Sequence, residues 1–162
     1  MSILYIYCGI PGSGKSHYAA THKLPNTEYL SRDEIRFSMV REDEEYFSKE
    51  TIVFNEFSRR AANFIAEGKN VICDATHVSY GSRKKLINAI DNFLANDEQR
   101  DYAIVYVVFN TPFEVCCERN AAREGRARVP DNVMERFRDG WKAPRMNEDE
   151  RVIGRKWVGR RK

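Results

Sequence analysis

The sequence predicts one α/β domain whose parallel β-sheet is flanked by helices on both faces. Short apolar segments alternate with segments whose apolar residues repeat at helical spacing, which is the pattern of strand–helix–strand units. Several of the apolar segments are continuous rather than alternating, as expected for strands that are buried on both faces. The chain of 162 residues can bury one core, and it shows no linker or internal repeat. We therefore predict a single domain over residues 1–162.

The predicted elements follow one another in regular order. The predicted strands are Ile3–Cys8, Thr27–Leu30, Asn70–Asp74, Tyr102–Asn110 and a short final strand in Arg151–Val158. The predicted helices are Gly14–Lys23, Arg32–Val40, Glu50–Gly68, Gly81–Asn96, Thr111–Gly125 and Val129–Trp141. Tyr102–Asn110 is the longest apolar run and is expected to be a central strand. Gly68 is a predicted helix terminator, and Thr111 followed by Pro112 is a predicted helix start.

Composition and charge exclude some classes of protein. The net charge of +3 permits an anionic partner without requiring one. No apolar run approaches the roughly 20 residues that span a bilayer, and the N-terminus lacks the basic leader of a signal peptide. Cys8 and Cys73 end apolar runs and are predicted core residues, while the adjacent Cys116 and Cys117 lack the spacing of a metal site. We expect a cytoplasmic protein with reduced thiols and no membrane partner.

The motif GIPGSGKS, residues 9–16, predicts a phosphate-binding loop. It fits the pattern G-x-x-x-x-G-K-[ST] in full and stands between a predicted strand and a predicted helix. Its glycines allow several backbone N–H groups to face one anion. We expect Lys15 to reach the β- and γ-phosphates of a nucleoside triphosphate and the Ser16 hydroxyl to bind Mg²⁺. The predicted nucleotide-binding residues here are Gly12, Ser13, Gly14, Lys15, Ser16 and His17. The fold class is therefore a P-loop NTPase.

The motif alone does not distinguish a kinase from an ATPase or a GTPase. The N-K-x-D pattern that GTP-specific proteins use to read the base is not evident, and Asn110 is followed by TPF. ATP is therefore the favoured nucleotide, or the site is loosely selective.

Asp33 and Arg36 follow the second predicted strand, in the text SRDEIR. Ligands bind beyond the carboxyl ends of strands in such sheets, and helix positions three apart share a face. The carboxylate can accept a proton from an attacking hydroxyl, and the guanidinium can bind a phosphate. The pair thus suits an acceptor that carries both groups, although an ordinary surface ion pair at a helix start has the same spacing.

Asp74 ends the third predicted strand, in NVICDATH. A carboxylate at this position, near the phosphate loop, can hold the water shell of Mg²⁺, whereas the alternative is a helix-capping aspartate. Thr76 is a candidate cleft residue. His77 can equally well form a local hydrogen bond or act chemically.

A predicted lid over residues 119–130 concentrates positive charge. It contains Arg119, Arg123, Arg126 and Arg128, with Gly125 between them as a point of bending. Arginines that a lid brings in can offset the charge that develops on a transferring phosphoryl group. A solvated basic helix end is the alternative interpretation.

Two other charged segments are less specific. Residues 41–50 are acidic and are interpreted as a solvated connection. The basic tail, residues 151–162, holds Trp157 and could either touch nucleic-acid phosphates or simply be a solubilising end.

Taken together, GIPGSGKS, SRDEIR, VICDATH and RNAAREGRARVP resemble the kinase domain of the bacteriophage polynucleotide 5′-hydroxyl kinase family, over residues 3 to about 140. The resemblance implies that Asp33 is the general base, that Arg36 binds the acceptor phosphate, and that Asp74 and Thr76 occupy family motif positions. Arg119 and Arg123 fall on lid arginines of the family. One extra residue before VP leaves Arg126 as an alternative for that role.

The resemblance implies a kinase that transfers the γ-phosphoryl group of ATP, with Mg²⁺, to the 5′-hydroxyl end of DNA or RNA in nucleic acid repair. Catalysis would rest on Asp33, Lys15 and Arg123, and metal binding on Ser16 and Asp74. The phosphatase motif D-x-D-G-T of the bacteriophage enzyme does not occur, so a stand-alone kinase is expected, in the host cytoplasm if a phage encodes it. The alternatives are a kinase for a nucleotide or small metabolite, as in the zeta-toxin-like kinases, and a non-catalytic ATP-binding module. Oligomeric state stays open.

Overall fold

A computed structural model describes residues 1–159 and shows one five-stranded sheet. The strands are β1 (Ser2–Cys8), β2 (Thr27–Ser31), β3 (Asn70–Asp74), β4 (Tyr102–Phe109) and β5 (Val152–Val158). All pairs are parallel, and the strand order is β2-β3-β1-β4-β5. The predicted α/β fold of the P-loop NTPase class is confirmed. Because the strands run in one direction, the loops that follow β1, β2, β3 and β4 open at the same edge of the sheet.

Six α-helices connect or follow these strands within the described residues. They are α1 (Lys15–Thr21), α2 (Arg32–Met39), α3 (Glu50–Ala66), α4 (Tyr80–Leu94), α5 (Phe113–Ala121) and α6 (Asp131–Gly140). Single 3₁₀ turns occupy Gly125–Ala127 and Met146–Glu148.

Alternation along β1 explains how helices cover both faces of the sheet. Leu4, Ile6 and Cys8 point to the face that packs against α3 and α4, and this side forms the larger core. Tyr7 points to the opposite face and joins the smaller cluster that Ala19 of α1 covers. The continuous apolar runs in the sequence thus reflect burial on both sides.

Local sequence signals set most helix boundaries. The Ser31 side chain caps α2 by accepting a hydrogen bond from the Glu34 amide at 3.2 Å. Gly68, predicted as a terminator, has φ +79° two residues beyond the end of α3. The predicted start of α5 is one residue too early, because Pro112 is the capping residue and Phe113 is the first helical one.

The lid is less helical than the sequence suggests. Residues 119–121 are the last turn of α5, and the rest is a loop that contains the 3₁₀ turn. Gly125 adopts φ +60° and Glu124 is extended, so the α-helix cannot continue through the arginine cluster. The predicted final strand is present as β5, which means that most of the basic tail belongs to the sheet. Residues 160–162 of that tail lie outside the described residues.

Among residues 1–159, no helix combines the length and apolar character needed to cross a bilayer. The four cysteines are free thiols, and Cys8, Cys73 and Cys116 are buried as small core residues. No group of three His, Cys, Asp or Glu side chains within the described part of the chain could hold a metal ion by itself.

Candidate active site

A cleft of about 950 Å³ opens at the carboxyl edge of the sheet and collects nearly all the predicted site residues. Its walls come from the phosphate loop, the start of α2, the end of β3 and the lid. The predicted residues that line it are Gly12, Gly14, Lys15, Ser16, His17, Asp33, Arg36, Asp74, Thr76, Arg119, Arg123 and Arg126. Ser13, which belongs to the same loop, does not line the cleft. It is buried, and its carbonyl accepts a 2.8 Å hydrogen bond from the Thr111 hydroxyl.

The phosphate loop depends on glycine at two positions for different reasons. Gly14 has φ +99° and caps α1 in the left-handed region. Gly12 has φ +84°, and a Cβ atom there would lie 2.5 Å from the Cys116 carbonyl oxygen. The loop therefore packs closely against α5. On its other side, the Gly9 amide donates a 3.0 Å hydrogen bond to the Thr76 carbonyl.

Lys15 places an available cation in the cleft. Its ammonium donates to the carbonyls of Gly9 at 2.8 Å and Ile10 at 3.1 Å, and none of its hydrogen-bond partners in the described residues is a carboxylate. Burial lowers the pKa of Lys15, while the charges of Asp74 and Asp33 act in the opposite direction. Because these partners are neutral carbonyls, the ammonium can exchange them for the negatively charged oxygens of a phosphate, which fits nucleotide binding.

Asp74 and Ser16 form the candidate magnesium site. The Ser16 hydroxyl donates to Asp74 Oδ2 at 3.2 Å, and the Tyr29 hydroxyl of β2 donates to the same oxygen. Asp74 is 5% exposed, and burial raises its pKa although Lys15 opposes the shift. A hard cation accepts carboxylate and hydroxyl oxygens as ligands and keeps several waters, so this pair fits Mg²⁺ when a triphosphate supplies the remaining ligands.

Asp33 stands at the entrance of α2 with its carboxylate open to the cleft. Its side chain is 63% exposed, and Oδ1 accepts a 2.5 Å hydrogen bond from Arg36 Nη1 and a 3.4 Å one from the Tyr46 hydroxyl. The other oxygen is not used by these contacts. Asp33 can therefore accept a proton from an alcohol in the same cleft as Lys15.

Arg36 is bound more tightly than the sequence indicates. It is 6% exposed, and its Nε and Nη2 donate to the two oxygens of Glu50 at 2.9 and 2.5 Å. Burial alone would lower the pKa of Arg36, but the hydrogen bonds to Glu50 and the neighbouring charges raise it above its usual value. Arg32 donates to the same carboxylate at 3.0 Å. Glu50 thus joins two arginines in the wall of the cleft beside Asp33.

The lid arginines have different partners. Arg119 Nη1 donates to the Gly12 carbonyl at 3.2 Å, and so lies directly over the phosphate loop. Arg123 makes no hydrogen bond or ion pair with another described residue through its side chain, and its charge lowers the pKa of Lys15. Arg126 instead donates to the carbonyls of Phe37 (3.1 Å) and Val40 and lies 4.8 Å from the Phe37 ring centroid. Arg126 therefore fastens the lid to the C-terminal end of α2.

His77 lies outside the cleft lining and hydrogen-bonds to the backbone of β1, far away in the sequence. It is buried, its Nδ1 is 2.7 Å from the Tyr7 carbonyl, and its ring stacks near Phe57. Burial lowers the pKa of His77 to about 4, so the ring is neutral at pH 7. Its φ of +44° shows that the chain bends sharply after β3.

The cleft as a whole favours anions. Seven basic side chains and three carboxylates line it. The basic residues are Lys15, Arg32, Arg36, Arg119, Arg123, Arg126 and Arg128; the carboxylates are Asp33, Glu50 and Asp74. This excess of positive charge in a concave site matches a polyphosphate and a phosphate-bearing acceptor.

Sequence reasoning missed Glu50, Tyr46 and Phe47, all of which line the cleft. They stand in the acidic segment 41–50, so the interpretation of that segment as a solvated connection is wrong for these three residues. The one available signal was two adjacent aromatic residues inside a charged segment, which is unusual for a purely solvated loop.

Comparison with known families matches residues 4–144 to the model described as AAA domain. The chain belongs to the AAA domain family. This AAA domain protein has a kinase-like P-loop fold, which implies nucleotide binding. A comparison with curated proteins finds no match.

Solved structures similar to this AAA domain protein include kinases for different acceptors. A chain of the Pnkp1/Rnl/Hen1 RNA repair complex is 22% identical with a TM-score of 0.69; the match covers 86% of the present chain and 43% of that one. A fungal RNA kinase is 12% identical with a TM-score of 0.66, covering 99% and 75%. A gluconokinase from Sinorhizobium meliloti 1021 is 18% identical with a TM-score of 0.56, covering 94% and 80%. The present chain spans less than half of the RNA repair protein, and these likenesses show the fold alone.

Proposed function

We propose that this protein is an ATP-dependent kinase that transfers the γ-phosphoryl group to the 5′-hydroxyl end of DNA or RNA. The observation that carries the proposal is the position of Asp33, whose open carboxylate shares one cleft with the phosphate loop and with Arg36. Two structural neighbours, a chain of an RNA repair complex and a fungal RNA kinase, support a nucleic acid acceptor.

In the proposed reaction, Asp33 accepts the proton of the acceptor hydroxyl. The hydroxyl oxygen forms a bond to the γ-phosphorus, and the bond from that phosphorus to the bridging β–γ oxygen breaks, so that ADP leaves. Lys15, Arg119 and Arg123 offset the negative charge on the phosphate oxygens, and the lid excludes water. Ser16 and Asp74 would hold Mg²⁺, which supplies charge neutralisation at the β- and γ-phosphates when bound.

Arg36 is proposed to bind the acceptor phosphate and also to orient Asp33. Its Nη1 already donates to the carboxylate of Asp33, and Glu50 fixes its other side. The guanidinium has five N–H donors, so one remains for an acceptor oxygen once the contacts to Asp33, Tyr46 and Glu50 are counted.

The alternative is a kinase for a small acceptor. The likeness to a gluconokinase over 94% of the chain favours it, because the same fold there serves a small metabolite. The two candidates differ in acceptor and not in the role of Asp33.

The test is transfer of labelled γ-phosphate to 5′-hydroxyl RNA, 5′-hydroxyl DNA, a nucleoside 3′-monophosphate and gluconate. Asp33→Asn retains an oxygen that accepts from Arg36 but loses the base, so kcat should fall by about 10²–10⁴-fold with ATP affinity unchanged. Asp43→Asn is the matched control, because Asp43 lies in the neighbouring loop, is also exposed (75% against 63% for Asp33) and pairs with Arg41. Transfer by Asp33→Asn at the wild-type rate would refute the mechanism, and transfer to gluconate alone would favour the small-acceptor kinase.

A further inference from the structure

The segment between α2 and α3 forms an ordered wall of the cleft. Lys49 Nζ donates to the Met39 carbonyl at 2.9 Å and to Glu44 at 3.3 Å, which ties the segment to the end of α2. The Tyr46 hydroxyl accepts from Arg36 Nη1 at 3.2 Å and lies 3.4 Å from Asp33 Oδ1. Tyr46 is therefore held beside the carboxylate that is proposed to accept the proton.

Phe47 extends this wall with an exposed apolar ring. Its ring meets that of Tyr46 nearly at right angles, at 85° and with 4.7 Å between centroids. The Arg36 guanidinium carbon lies 4.9 Å from the Tyr46 centroid and 5.5 Å from that of Phe47. Phe47 is nevertheless 49% exposed, although it lines the cleft. Phe47 thus contributes to the lining of the cleft while about half of its surface stays accessible.

We propose that Phe47, supported by Tyr46, is a stacking platform for the nucleobase at the 5′ end of the acceptor. This inference rests on the proposed function and narrows the acceptor to one with a flat aromatic group beside its hydroxyl. Aromatic side chains bind bases through their faces with little sequence preference, and a nearby arginine strengthens such a contact. Tyr46 connects the platform to Asp33, so a base that stacks there brings its own sugar hydroxyl toward the carboxylate.

The platform separates nucleic acid acceptors from sugar acids. Stacking on one aromatic residue corresponds to about a 5- to 150-fold difference in affinity per base, whereas gluconate has no ring that could gain from it. Phe47 would therefore select acceptors that carry a base, whatever the identity of that base, without touching the reacting atoms.

The experiment compares two acceptors that differ only in the base. One is a short 5′-hydroxyl oligonucleotide, and the other has an abasic tetrahydrofuran unit as its first residue. Each is tested with wild type, Phe47→Ala, Phe47→Trp and Phe93→Ala. Phe93 is the matched control, because it is 48% exposed on α4 and does not line the cleft.

We expect wild type and Phe93→Ala to use the intact acceptor at least about 5-fold better in kcat/KM. Phe47→Ala should lose that preference through the KM of the intact acceptor, with the KM for ATP unchanged, and Phe47→Trp should retain it. Equal use of both acceptors by wild type, or an equal loss on both in Phe47→Ala, would overturn the platform and leave the kinase function standing. No transfer to either acceptor by wild type would instead refute the proposed function, and the platform with it.

Discussion

Replacement of Glu50 by Gln is the sharpest test of how this wall of the cleft is held together, because Glu50 binds two arginines that lie close to each other. The wild-type carboxylate accepts three hydrogen bonds, two from Arg36 and one from Arg32. The amide side chain of the variant would keep one acceptor oxygen and lose the negative charge. Among residues 1–159, Asp33 would then be the one carboxylate left in an ion pair with Arg36.

The exposure of these three side chains determines how much stability Glu50→Gln should lose. Side-chain exposure is 7% for Arg36, 25% for Arg32 and 31% for Glu50, so solvent only partly replaces the lost charge. Loss of one partner from a buried ion pair costs about 3–5 kcal/mol, and the remaining oxygen and partial exposure reduce this to about 2–3 kcal/mol. For a chain of this size the melting temperature should fall by about 4–12 °C.

The effect should depend on pH in a defined direction. Burial alone would raise the pKa of Glu50, but Arg36 and Arg32 outweigh it and hold the pKa below its usual value of 4.5. A depressed pKa in the folded state means that the stabilisation is complete above pH 4.5 and is lost as the pH falls through the folded value. The gap in melting temperature between wild type and Glu50→Gln should therefore be constant from pH 7 to about 5 and narrow below 4.5.

Thermal unfolding followed by circular dichroism measures both effects. Glu56→Gln is the control, since Glu56 lies on the same helix and also pairs with two arginines, but those are 47% and 43% exposed. Its melting temperature should match that of wild type. The reasoning would be refuted if both variants melted alike, or if the gap for Glu50→Gln kept its size at pH 3.5.

Two further outcomes follow from the loop and the lid. Gly12→Ala should weaken ATP binding at least about tenfold and lower the melting temperature, because the new Cβ meets the Cys116 carbonyl and the left-handed backbone is strained. Isothermal titration measures the affinity for ATP. In the control Gly81→Ala the new Cβ meets nothing closer than 3.9 Å, so ATP affinity should stay unchanged and the melting temperature should stay the same or rise. Arg126→Ala should speed amide exchange in residues 122–129 by about tenfold or more, because two charge-assisted hydrogen bonds to the C-terminal end of α2 are lost. Unchanged exchange would show that Arg126 does not fasten the lid, and Arg128→Ala serves as the control.

The sequence predicts best what is encoded within a few residues. The phosphate loop, Asp74 and the strand before each of them are contiguous patterns, and their expected strand and helix context is confirmed. The joint presence of Lys15 and Asp33 in one cleft follows from the rule that parallel strands present their carboxyl ends at a common edge.

The contacts of Arg36 and Arg126 depend on how distant segments pack. Arg36 and Glu50 are 14 positions apart, and their pairing requires that α3 begin against the side of α2. Arg126 is 86 positions from Val40, and its contact depends on how the lid loop folds against the end of α2. The spacing of residues within a motif therefore does not predict the contact of Arg36 with Glu50 or that of Arg126 with Val40.

The pairing of β2 with β3 has a consequence for how the chain tolerates change. Ser31 lies opposite Asp74 in this ladder, Tyr29 of the same strand donates to that carboxylate, and Asp33 follows two residues after the strand ends. A single inserted or deleted residue in this five-residue edge strand would therefore misplace Tyr29, the Ser31 cap and the proposed proton acceptor Asp33 together. Because α2 starts at Arg32, directly after β2, the chain has no slack between Tyr29 and Asp33, and only the connection that precedes β2 can change in length without moving them relative to each other.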